Sequence, residues 1–72
     1  MCMFPSITRE EVKAYEGMNI LQASNWATAH GYTTDLFTSE QIMMLYFDEE
    51  PAIELEYNTN AIIVKASLWC YG

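Results

Sequence analysis

The stretch "DEEPAIELE", residues 48 to 56, places Asp48, Glu49, Glu50, Glu54 and Glu56 within nine positions of a chain whose basic residues are Arg9, Lys13 and Lys65. Carboxylates at that density can ligate a metal, exchange protons, solvate a turn or face a cationic partner. Metal ligation requires side chains that converge. The run has neither the D-x-D-x-D-G spacing nor the distal Glu of a calcium loop, and three consecutive acids in an extended turn point in different directions. Hydrolysis by paired carboxylates requires a substrate cleft between them, which 72 residues can hardly build. A nucleophilic triad requires a histidine base, and the chain has one histidine, His30. It falls in the last turn of a helical stretch, where the helix dipole favours a positive or polarisable group. Cys2 and Cys70 stand at opposite ends with no C-x-x-C spacing, which argues against a zinc site. The sequence therefore reads as non-enzymatic, with no metal and no cofactor.

Net charge narrows the partners. At −7, the chain cannot neutralise phosphates or anionic lipid headgroups, so direct contact with nucleic acid or a membrane surface is not expected. The longest apolar run, "IMMLYF", is far short of the roughly 20 residues of a membrane span. "MCMFPSITREE" lacks the features of a signal peptide, and a cytoplasmic location with reduced cysteines is the expectation. A protein of this length buries only about 60% of its unfolded surface, yet 51% of its residues are hydrophobic. Some apolar surface is left for an interface, either with a second copy or with another protein.

The elements that must position these residues are legible in part. "ITREEV" (7–12) and "FTSEQI" (37–42) each pair a capping Thr with a Glu or Gln three residues on, as in a capping box. Ile7 with Val12, and Phe37 with Ile42, supply the matching hydrophobic staples. These signals predict helices over about 9–16 and 39–47, with "NILQASNWATAH" giving another over about 19–30. Gly17 and Gly31 mark stops. The third helix, apolar all round, is expected at the centre of the core. Alternation then takes over, and "AIELEY" and "IIVKASLWCY" read as a C-terminal antiparallel hairpin (about 52–57 and 62–71) turning at "NTNA". The expected register sets Tyr57 opposite Ile62, Leu55 opposite Val64, Ile53 opposite Ala66 and Glu54 opposite Lys65, because a one-residue slip faces Lys65 with Ile53. The fold class is α+β, one domain over 1–72. Three helices followed by a hairpin is the element order of a winged helix, but the cations that such a domain presents to DNA are missing, and order alone implies neither family nor function.

In that register the outer hairpin face carries Glu54, Glu56, Ile63, Lys65, Ser67, Trp69 and Tyr71. Trp and Tyr are favoured interface anchors, and charged residues tend to sit at an interface rim. Ile63, Trp69 and Tyr71, flanked by Asp48, Glu49, Glu50, Glu54 and Glu56, are thus the expected partner-binding set. The expected partner is a protein with a basic surface. In its sharpest form the chain is an inhibitor from a phage or other mobile element that occupies the basic site of a nucleic-acid-handling protein. The alternative is a structural or regulatory homodimer that uses the hairpin as its self-association surface.

Overall fold

The computed structural model describes residues 7–69. Two short helices come first: α1 (Arg9–Lys13) and α2 (Ile20–Ala29). Four strands follow, β1 (Thr33–Phe37), β2 (Ile42–Phe47), β3 (Glu50–Tyr57) and β4 (Ile63–Leu68), paired antiparallel in the order β1-β2-β3-β4. Among the described residues no helix is long and apolar enough to cross a membrane.

The helix starts follow the local chemistry. Thr8 caps α1 by accepting the Glu11 N–H at 3.1 Å, and Asn19 caps α2 by accepting the Gln22 N–H at 2.7 Å. The Glu11 carboxylate does not close the capping box. It accepts instead from the Tyr32 hydroxyl, tying α1 to the chain beyond α2. α1 ends earlier than the expected 16, and Gly17 takes φ +94° to redirect the chain.

The expected third helix over 39–47 does not form; the segment is the turn and second strand of a β-hairpin. The capping residues serve the turn, where the Gln41 N–H donates to the Thr38 carbonyl at 3.3 Å and Gln41 adopts φ +56°. Phe37 and Ile42 do face each other, but across two strands. "IMMLYF" is apolar on every side because its residues alternate between two apolar faces of a sheet. A short continuous apolar run cannot be assigned to helix or strand by periodicity alone. With the hairpin in place, the winged-helix order is also excluded.

The C-terminal pair of strands forms in a different register from the one expected. Leu55 lies opposite Ala66, Glu54 opposite Ser67, Glu56 opposite Lys65, and Tyr57 opposite Ile63. A bulge between Ile63 and Lys65 absorbs Val64 and shifts the ladder. Lys65 therefore meets Glu56 at 3.8 Å rather than Glu54. Asn58 sets the turn by accepting the N–H groups of Asn60 and Ile62.

Both helices pack on one face of the sheet. Val12, Tyr15, Ala23 and Ala27 join Met43, Leu45, Ile53, Leu55, Ile63 and Ala66 in a single core. The outer side of β4 is occupied: Gly17 N–H donates to the Ile63 carbonyl, the Ile63 N–H donates to the Met18 carbonyl, and the Ala66 N–H donates to the Glu16 carboxylate. β1 pairs with β2 alone among the described elements, and all five of its residues are exposed.

Candidate protein-docking face

Among the described residues, the sheet's other face carries no helix. Side chains alternate along a strand, so residues opposite one another across the ladder share a face. One row across this face reads Asp35, Met44, Glu54, Ser67; the next reads Phe37, Ile42, Glu56, Lys65. Neighbouring strands are about 4.8 Å apart, so Asp35 and Glu54 stand about 10 Å apart with Met44 between them.

These rows form a shallow concavity of about 340 Å³. Its floor is Ile42, Met44 and Tyr46 of β2, beside Pro51 of β3. Phe37 and Trp69, each 38% exposed, line it as well. Glu54 and Glu40, the latter in the β1–β2 turn, supply its charge. Pro51 is tolerated inside a central strand because a bulge breaks the ladder there: Leu45 pairs with Ile53 and Tyr46 with Pro51, leaving Ala52 extra. Trp69 is held next to it by its own N–H, which donates to the Ala52 carbonyl at 2.8 Å.

The five acids of "DEEPAIELE" separate. Asp48 and Glu49 form the tip of the β2–β3 hairpin with φ +53° and +67°, the pair of positive values a type I′ turn requires. Glu50 opens β3 opposite Phe47. Glu54 and Glu56 lie on the open face, Glu56 against Lys65. The run is therefore a turn at one end and a face at the other. Of the expected anchors, Trp69 lines the concavity. Ile63 does not reach the open face; it is 1% exposed in the core, on the side set by its pairing with Tyr57. Tyr71 lies outside the described residues, as do Cys2 and Cys70.

His30 is engaged by its own helix. Trp26 Nε1–H donates to His30 Nε2 at 3.0 Å, and His30 Nδ1 lies 2.8 Å from the Trp26 carbonyl. The neutral tautomer with its proton on Nδ1 satisfies both contacts.

Asp35, Phe37, Glu40, Ile42, Met44, Tyr46 and Pro51 escape the sequence reading, which places most of them in a loop or a buried helix. The signal for them is the apolar run itself. A strand apolar on both sides has a second face to cover, and among the described residues nothing covers it. Comparison with family models, curated proteins and solved structures finds no match.

Proposed function

We propose that this protein is a small acidic, non-enzymatic binding module whose uncovered sheet face docks on a basic protein surface and modulates that partner. One observation carries the reading: the face has an apolar aromatic centre with Asp35, Glu40 and Glu54 around it, while its described cation, Lys65, is already paired with Glu56. Apolar anchors surrounded by charge are the usual anatomy of a protein interface. The carboxylates speed encounter and exclude acidic surfaces, and the anchors slow dissociation. In its narrowest form the module is an inhibitor, of phage or mobile-element origin, that covers the phosphate-binding site of a nucleic-acid-handling protein.

The test is capture from host lysate, followed by kinetics with the purified captured protein. Combined Asp35→Asn, Glu40→Gln and Glu54→Gln should lower the on-rate and flatten its salt dependence. Trp69→Ala should raise the off-rate, at a cost of about 2 kcal/mol. Nucleic acid should compete with the module for the partner. Equal on-rates and salt slopes for the parent and the neutralised variant would remove the open face from the account.

Self-association is a second reading, moved from its expected place. The apolar hairpin face bearing Ile53 and Leu55 is buried within one chain, so it is not available to a second copy. Leu21 and Leu36, 71% and 44% exposed, instead line an apolar groove beside the open edge of β1. Light scattering on the isolated protein separates the readings, since a dimer that Leu36→Asp dissolves supports the second.

A further inference from the structure

We infer that the concavity on the open face is a socket for a single arginine side chain. The inference rests on the docking reading above and specifies which group of the partner the face holds.

Three features select the occupant. The first is size. At about 340 Å³, the concavity has room for one long side chain laid against the face. The second is the lining, in which Phe37, Tyr46 and Trp69 supply rings and Met44 and Ile42 an apolar floor. A cation over an aromatic face is attracted by the ring quadrupole. The third is charge: Glu40 and Glu54 line the same space; among the described residues Glu40 accepts only the neutral Ser39 hydroxyl, at 2.9 Å, and Lys65 is paired with Glu56.

Lysine fits this combination less well. Its ammonium is compact and strongly hydrated, so an apolar wall strips water from it at high cost. The guanidinium is planar and weakly hydrated; it stacks on rings and meets carboxylates through two parallel hydrogen bonds. A neutral apolar side chain would fill the floor and leave the two carboxylates without a counter-charge.

The experiment needs no protein partner. N-acetyl-argininamide is titrated into the ¹⁵N-labelled protein to concentrations on the order of 10 mM, the range of a weak single-group contact. N-acetyl-citrullinamide, its neutral near-isostere, is titrated in parallel. The two tryptophans serve as probe and control: Trp69 lines the socket, whereas the indole N–H of Trp26 is bonded to His30. The arginine compound should move the Trp69 indole and the amides of Met44 and Glu54 along a saturable curve, leaving Trp26 in place. Citrulline should bind at least about 5-fold more weakly, as loss of a charge-assisted contact requires. Glu40→Gln with Glu54→Gln should reduce the arginine response to the citrulline level while preserving the dispersion of the spectrum.

Equal responses to arginine and citrulline, or movement of Trp26 as large as that of Trp69, would overturn the socket. Either result leaves the docking reading to its own kinetic test. Conversely, a socket that binds arginine in a protein that captures no partner would overturn the docking reading alone.

Discussion

Glu49 holds a left-handed backbone at φ +67° immediately after Asp48 does the same at φ +53°. For a residue with a Cβ, that conformation costs roughly 1–2 kcal/mol. Asp-Gly is the favoured pair at such a turn, so Glu49→Gly should stabilise the protein by about 0.5–1 kcal/mol, after the extra freedom of glycine in the unfolded chain is subtracted. The urea midpoint should rise with an unchanged slope; a lower midpoint would mean that the turn is not of this type. Two tyrosines invite the opposite comparison. The Tyr15 hydroxyl is buried with no hydrogen-bond partner, whereas the Tyr32 hydroxyl donates to the Glu11 carboxylate. Tyr15→Phe should therefore be neutral or stabilising by up to about 1 kcal/mol, and Tyr32→Phe should cost about 1.5–3 kcal/mol in a thermal melt. Burial, and then the charge of Glu11, push the Tyr15 phenol up from 10.0 to about 12. Because the folded value lies above the unfolded one, the associated stability is complete below pH 10 and is lost as pH climbs towards 12. Tyr15→Phe should remove that share of the alkaline loss, visible as a shallower fall in melting temperature above pH 10.

At the scale of elements, β4 depends on an acid supplied from the end of the α1 segment. The Ala66 N–H, and after it the Lys13 ammonium, hold the Glu16 carboxyl below its ordinary 4.5. A folded value below the unfolded one means stability that is present above about pH 4.5 and is lost as pH falls through the lower value. Glu16→Gln keeps an oxygen for Ala66 but loses the charge. It should melt below the parent near neutrality, and the gap should close in acid; a gap that persists in acid would show that the charge does not secure this strand. The same scale explains what the sequence disclosed. The start of α1 could be read locally, since Thr8 acts within three residues; Asn19, expected as the first residue of its helix, is the cap instead. The strands of the last hairpin could be read from alternation. Its register could not, because the bulge at Val64 answers to the packing of Ile63 into the core. "FTSEQI" misled for a related reason: its capping signals are equally good turn signals, and only the sheet decides between them. Trp69, which lines the concavity, was legible as a residue of the outer hairpin face. The floor of the concavity was not, because nothing local distinguishes a strand with two apolar faces from a buried helix.

As a whole, the molecule is a body of 32 × 23 × 20 Å carrying a net charge of −7. At 0.01 M salt the screening length is about 30 Å, comparable to the longest dimension, and at 0.1 M it is about 10 Å. Self-repulsion therefore acts across the entire fold in dilute buffer and is confined to neighbours at higher salt. Raising salt through this range should lift the melting temperature by roughly 4 °C, equivalent to somewhat under 1 kcal/mol for a domain of this size. The proposed docking on a basic surface should weaken over the same range, so salt should act on folding and on that binding with opposite signs. A flat melting temperature would mean that the acids are spaced well enough not to repel. The two edges of the sheet carry a further consequence. Strands polymerise by their free edges, and a filament needs two per molecule. Here Gly17, Met18 and Glu16 occupy the outer side of β4, while among the described residues the outer side of β1 stays open. Each molecule is in this sense a monofunctional monomer: two that meet through β1 use up both reactive ends, and growth stops at a pair. The loop at 16–18 is the chain terminator, and freeing it would turn the same four strands into a bifunctional unit able to propagate.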